Sequence, residues 1–235
     1  MATVTTRKKG TVRLPQEQRV SDIMAAARQV ISEKGYENTL MSEIAERAGV
    51  VEGTLYRYFD SKRDLMTKVA DAWFEEVLES DTELPRIQGT RERLRYLIWR
   101  ALMSIRRQPA MSRFMLLEVR QNPDYRHTRS FELNKRMTAE ISLLCGQAIE
   151  RGEFRRDVSV PILRDLIFGC IEHRTWSFLR GEGDFDIDEV ADGIANVIYR
   201  GMAAVDRASK SEIENVVERL EKVAEKLEER AGGKR

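Results

Sequence analysis

Apolar residues recur along this chain at steps of three and four, and no stretch alternates at steps of two. Val20, Ile23, Ala27, Val30 and Ile31 make one such stripe, so a helix is predicted over 16–34, with Gly35 as its left-handed stop. Two short helices follow, 41–48, ended by Gly49, and 52–59. Ser61 and Asp64 have the spacing of a capping box, which starts a fourth helix at Lys62 that runs to about residue 84, before Pro85. Beyond a loop at 85–90, helices are predicted at 91–107, 110–121, 124–151, 161–179 and 187–204. Pro109, Asn122-Pro123, Gly152, Gly181 and Gly183 separate them. Asp186 with Glu189 suits the cap of the last. The expected fold class is all-α, with a three-helix unit in front of a larger helical domain.

The C-terminal tail follows a different rule. Positions 213, 217, 220, 224, 227 and 231 are apolar within a segment otherwise nearly all Glu, Lys and Arg. This is the alternating four-three spacing of a coiled-coil seam. Two readings stand: a seam that adds contacts between dimers or to another protein, and an amphipathic helix folded back on its own domain. The expected organisation is therefore a basic arm at 1–15, a helix-turn-helix unit at 16–65, a helical domain at 66–205 and a charged helical tail at 206–235.

Charge refines this picture locally. The whole chain carries 40 Lys and Arg against 39 Asp and Glu, which gives no global bias toward nucleic acid or membrane. Arg7, Lys8, Lys9 and Arg13 stand in the arm with no acid among them, so the basic excess is N-terminal. That arm reads either as a minor-groove or phosphate contact or as a solubilising tail. Cys145 and Cys170 form no CxxC, and no His-Cys cluster is present, which implies a reducing compartment and no metal site. No apolar run reaches the length of a membrane span, so a soluble, cytoplasmic protein with no membrane partner is expected.

Chemistry concentrates in AGVVEGTLYRYFDSKRDL, residues 48–65. Two short helices joined by a glycine turn make a helix-turn-helix. Ala45 allows close crossing, Gly49 makes the turn, and Val50 and Leu55 plug the core. The second helix is too short to bury both faces. It presents Val51, Glu52, Gly53, Thr54, Tyr56, Arg57 and Tyr58 outward, a mixture of hydroxyls and cations that suits the major groove and the phosphate backbone of DNA. Packing between helices is the alternative for Tyr56 and Tyr58. Glu52 either accepts from a cytosine amino group or points away.

Residues 16–65 resemble the DNA-binding domain of TetR-family transcriptional regulators. Gly35-Tyr36, Ile44-Ala45, Ala48-Gly49-Val50, Gly53-Thr54-Leu55-Tyr56, Tyr58-Phe59 and Ser61-Lys62 carry the likeness. The resemblance implies a homodimer on a palindromic double-stranded DNA operator, with a C-terminal domain that dimerises and binds a small effector. It puts Gly53 and Tyr56 in the groove and Thr54, Tyr58 and Lys62 on the backbone, with Thr39 and Ser42 as further phosphate contacts. Three positions depart from the pattern. Leu40 stands where a Thr or Ser cap is common, which passes the cap to Thr39; Val51 replaces a frequent Ser, and Glu52 a frequent Lys.

In the larger domain, Trp73, Trp99, Met103, Phe114, Phe131 and Trp176 supply surface for an apolar cavity, with Leu117 beside them. Phe74, Met115, Met137, Phe168 and Phe178 belong to the same apolar set, and core packing is the alternative for each. Arg106, Arg107, Arg113 and Arg120 would receive a phosphate or carboxylate if they are not simply solvated. LLEVRQNPDYR, 116–126, and AIERGEFRRDV, 148–158, are similar to TetR-family repressors of fatty-acid degradation. That likeness implies a long-chain acyl-CoA or fatty acid as effector; no cofactor is expected. The family plan places the dimer interface on 161–179 and 187–204, through Ile162, Leu166, Cys170, His173, Ile194, Val197, Ile198 and Gly201. Most members repress, so a repressor released by its effector is expected. An architectural DNA binder without effector is the alternative. An enzyme on acyl thioesters is disfavoured, since His127 and His173 lie far apart in sequence and no nucleophile motif or metal cluster is present.

Overall fold

The computed structural model describes residues 15–79, 83–204 and 216–222. Among these the chain is helical, apart from turns and one isolated antiparallel bridge between Phe154 and Ala203. The helices are α1 (Gln16–Asn38), α2 (Met41–Arg47), α3 (Glu52–Leu55), α4 (Lys62–Glu79), α5 (Thr90–Arg107), α6 (Pro109–Phe114), α7 (Arg129–Glu150), α8 (Val160–Leu179) and α9 (Ile187–Met202). Short 3-10 turns occur at Leu84–Arg86 and Tyr125–His127, and a π-helical turn at Met115–Val119 continues α6.

The predicted stripe on α1 faces inward: Ile23, Ala26, Ala27, Val30 and Ile31 are buried. They meet Ile44 and Ala45 of α2, Leu55 of α3, and Leu65, Met66, Val69 and Ala70 of α4. The same core takes in Met111 and Phe114 of α6, Met115 and Val119 of the π turn, and Leu133 of α7. Packing is therefore continuous across residue 65, because α4 buries one face along its length. A second core lies between α5, α7, α8 and α9, from Leu94, Ile98, Leu102, Ile141, Leu144, Ile167, Ile171, Ala191 and Ala195. Arg91 and Arg95 of α5 clamp α9 through Asp192 at 3.1 and 3.0 Å.

The caps follow the local signals. Ser61 Oγ accepts from the Asp64 backbone N–H at 3.1 Å, and the Asp64 carboxylate accepts from the Asp60 N–H. Asp186 accepts from the Glu189 N–H at 2.9 Å.

Other predicted boundaries change. Gly35 has φ of 76°, yet the chain resumes one helical turn to Asn38. α3 ends at Leu55 rather than 59, because Arg57 and Tyr58 turn back onto the carbonyls of Thr54 and Leu55, three residues behind. α7 begins at Arg129 rather than 124; Thr128 supplies its cap by accepting from the Phe131 N–H. The tail helix lies mostly outside the described residues. Within it, 216–222 is helical, with Val217 and Leu220 exposed.

Candidate nucleic-acid interface and effector cavity

The turn between α2 and α3 is set by Gly49, whose φ of 65° is strained for any residue with a Cβ. Leu55, fully buried, and Phe59, nearly so, anchor the far side of α3. The near side is left in solvent. Val51 is 75% exposed and Tyr56 52%, and Glu52, Gly53 and Arg57 are also exposed. Thr54 is partly exposed, and Ser42 is exposed in the first turn of α2. Gly53 has an ordinary φ, and a Cβ built on it would meet nothing within 4 Å. Neither the backbone nor the packing of this chain requires glycine there, although glycine in a helix costs roughly 0.5–1 kcal/mol. Tyr58 is partly buried against the core of the helix-turn-helix unit, the reader of the proposed DNA contact. Lys62 opens α4 with its ammonium 4.6 Å above the Tyr36 ring, donating to the Glu37 carbonyl at 3.3 Å. α2, α3 and the start of α4 thus expose hydroxyls, a glycine gap, the Arg57 cation and the Glu52 carboxylate, with Lys62 partly exposed beside them.

Thr39 does not belong to that surface. It is fully buried, and its hydroxyl donates to the Gly35 carbonyl at 2.7 Å. Nor does it cap α2, whose N-cap position is Leu40 with no side-chain bond. The one-turn extension of α1 past Gly35 draws Thr39 inward.

α4 leads from this surface to a cavity. Eighteen residues at 1.5 Å each give it a length of roughly 27 Å. Lys62 is at one end, and Trp73 and Phe74 near the other help line a cavity of about 150 Å³. α5 contributes Ala101, Ser104 and Ile105; α6 and the π turn contribute Ser112, Met115 and Leu116. The opposite wall holds Tyr125, Asn134, Met137, Thr138, Phe168, Ile171, Glu172 and Thr175. Arg120, also lining it, pairs with Glu172 at 3.0 Å where both are part-exposed. Behind the cavity, buried Asp71 accepts from Ser130 Oγ at 2.5 Å. Burial raises its carboxyl pKa, against the lowering effect of that hydrogen bond and of Arg129. Arg63, next to Lys62, donates to the Glu118 carbonyl of the π turn at 2.5 Å. The cavity wall is thus bonded to the reader.

Of the predicted effector residues, Trp73 and Arg120 line this cavity. Trp99, Met103 and Arg107 line an adjoining surface groove across α5, which shares Trp73 and Ser104 with the cavity. Arg113, Phe114 and Leu117 line another, beside the last turn of α1. Phe131 packs edge-on against Tyr125 with centroids 5.5 Å apart, and Trp176 lies under Arg180. Arg106 is occupied by Asp184 and the Phe185 carbonyl, with its guanidinium over the Phe185 ring. These positions are turned from the cavity because aromatic or charged character does not reveal which way a helix is rotated. Phe74, Met115, Met137 and Phe168, from the apolar set, do line it. The small and polar lining was missed. Part of its signal was the three-residue step from Glu172 to Thr175 on α8, on one stripe with Phe168 and Ile171.

On the outer face of α8 and α9, Ile162 is 54% exposed, Leu166 50% and Val197 72%. Cys170, His173 and Gly201 are exposed beside them, and Ile194 partly so. Ile198 is not on this face. It is 9% exposed, on the inward stripe with Ala191, Ala195 and Met202. One step along a helix rotates a side chain by about 100°, enough to separate it from Val197.

Among the described residues, no group of three or more His, Cys, Asp or Glu could hold a metal ion. No described helix is long and apolar enough to cross a membrane.

Residues 23–69 match the family model described as bacterial regulatory proteins, tetR family. Residues 88–202 match that of the tetracyclin repressor-like C-terminal domain. Together these span more than half of the chain. The fatty acid metabolism regulator protein of Bacillus subtilis is 25% identical over 185 residues, covering 77% of this chain and 93% of that protein. The HTH-type transcriptional repressor KstR2 of Rhodococcus jostii is 22% identical over 191 residues, covering 79% and 92%. The crystal structure of the regulator FadR from Bacillus subtilis in complex with stearoyl-CoA superposes with a TM-score of 0.66 at 24% identity, over 77% of this chain and 98% of that one. At that identity the likeness is one of fold.

Proposed function

Because the chain belongs to the tetR family of bacterial regulatory proteins, we propose that it is a repressor that binds a palindromic operator as a homodimer and is released by a long-chain acyl-CoA. The observation that carries the DNA reading is Gly53. It is a glycine with ordinary φ and open space where its Cβ would be, on a face with Tyr56 and Arg57 exposed. A base edge or phosphate approaching that gap explains the missing side chain. Tyr56 then contacts the groove, Glu52 accepts from a cytosine amino group, and Ser42, Thr54, Arg57, Tyr58 and Lys62 hold the backbone. Two such surfaces meet half-sites about 34–36 Å apart when the outer faces of α8 and α9 pair across a two-fold axis. The protein acts in the cytoplasm, where its operator is.

The acyl-CoA reading is supported by the naming of the relatives and by a mostly apolar cavity with Arg120 on its wall. Ligand pockets generally hold about 300–1,000 Å³, so a long chain must push the walls apart. Those walls include α4 and the π turn bonded to Arg63, so opening them turns the readers relative to each other. A differential affinity of roughly 1–3 kcal/mol between the two arrangements changes operator affinity about 5–150-fold.

The test is fluorescence anisotropy on the protein's own promoter DNA, with and without stearoyl-CoA. Tight binding that stearoyl-CoA reverses, and that Tyr56→Ala abolishes in a folded dimer, is expected. Binding that ignores sequence and Tyr56 would replace the operator reading with an architectural one. Specific binding unmoved by any acyl-CoA would remove the effector.

A further inference from the structure

Four helical hydroxyls line the cavity, and they divide into two kinds. Thr138 Oγ1 donates to the Lys135 carbonyl at 3.1 Å, and Thr175 Oγ1 to the Ile171 carbonyl at 3.0 Å. This local back-bonding is how a hydroxyl in a helix is normally satisfied. Ser104 and Ser112 do otherwise. Both Oγ atoms are buried, and neither has a hydrogen-bond partner in the protein. Ser112 is only 6% exposed as a residue. They come from consecutive helices, α5 and α6, yet line the same space. Tyr125 Oη is buried in the same lining and makes no hydrogen bond of good geometry, although Asn134 is close enough to influence it. Around them the lining is largely apolar: Trp73, Phe74, Met115, Met137 and Phe168.

A buried polar group without a partner is costly, and native interiors contain few. The residues that carry them line the cavity, the oxygens themselves are occluded until the walls part to admit a ligand, and a charged ligand group buried beside neutral hydroxyls would not recover its lost hydration. We infer that the ligand of this cavity carries an uncharged oxygen, a hydroxyl or a carbonyl, within its apolar body, bonded by Ser104 and Ser112. The inference rests on the cavity being the effector site. It adds that a saturated, unsubstituted chain is not the preferred occupant. Recognition through otherwise unpartnered site hydroxyls discriminates well, because a ligand without the oxygen leaves them buried and unpaired.

The experiment is isothermal titration calorimetry of the full-length protein with stearoyl-CoA and with hydroxystearoyl- and oxostearoyl-CoA oxygenated near mid-chain. An oxygenated ligand is expected to bind about tenfold or more tightly than stearoyl-CoA, the scale of one well-made buried hydrogen bond. In the Ser104→Ala/Ser112→Ala variant that preference disappears, while stearoyl-CoA binds as well as before or better. Neither serine gives up an internal hydrogen bond on substitution, so the variant is expected to melt no lower than the parent. Equal affinity for all three ligands, as when a trapped water serves the serines, overturns the inference and leaves the acyl-CoA reading intact. A preference that survives in the double variant also overturns it. Failure of every acyl-CoA to bind removes both readings.

Discussion

At the residue scale, Gly53 separates folding from function. Gly53→Ala is expected to stabilise the isolated protein by about 0.5–1 kcal/mol, since alanine suits a helix better and nothing obstructs its methyl. The same methyl is expected to weaken operator binding by about 1–3 kcal/mol, roughly 5–150-fold, by overfilling the contact. Denaturant melts and anisotropy on one preparation measure both; unchanged operator affinity would place the duplex elsewhere. Asp71 supplies a pH dependence. Its folded pKa is raised above the ordinary 3.8, chiefly by burial, so the fold holds the proton more tightly than the unfolded chain does. That contribution is fully present below 3.8 and is lost as pH rises through the folded pKa. Asp71→Asn removes the titration, so the variant's melting temperature should climb relative to the parent over that window. Paired melts between roughly pH 3 and 7 check this, and a constant difference would contradict it. Sequence alone identified Gly53, Tyr56 and Leu55 correctly as to exposure, because a tight turn leaves a short helix little choice of face. Thr39 and Ile198, read as outward, are buried, each within one turn of an exposed neighbour.

At the scale of elements, local signals that satisfy backbone groups were the dependable ones. Ser61–Asp64 and Asp186–Glu189 cap α4 and α9 as their spacing implies, because a cap depends only on residues within one turn. Ser61→Ala is expected to cost about 1 kcal/mol of stability, and because α4 starts at the proposed DNA face, some operator affinity as well. Chemical denaturation of variant and parent decides the first part; no loss of stability would mean the cap contributes nothing. The π turn at Met115–Val119 has no comparable signal. It inserts an extra residue per turn between buried Phe114 and buried Val119, and long-range packing against α1 and α4 decides it. It also exposes the Glu118 carbonyl to Arg63. Such turns occur often at functional sites, and this one lies between reader and cavity.

At the scale of the whole molecule, α8 and α9 carry an apolar strip, Ile162, Leu166 and Val197, that no other described residue covers. Val197→Glu is expected to abolish the dimer by placing like charges near a two-fold axis. The resulting monomer should lose roughly 10²-fold or more in operator affinity, since two linked readers bind far more tightly than one. Native mass spectrometry gives the mass, and a dimer that persists would move the interface off this face. α4 is the element shared by everything described: its first turn carries Lys62 of the proposed DNA face, its middle packs in the core with α1 to α3, and its Trp73 lines the cavity.

Periodicity, punctuation and the cluster after Gly49 determined the all-helical architecture, the reader and its outward face, because those depend on residues near one another along the chain. The cavity was decided by tertiary structure alone. Its lining is drawn from α4, α5, α6 and its π turn, the segment after it, α7 and α8, and membership depends on how each helix is rotated about its axis. Rotation is set by packing against distant partners. Two serines that look like any others in sequence therefore become unpaired hydroxyls only once five helices have closed around them.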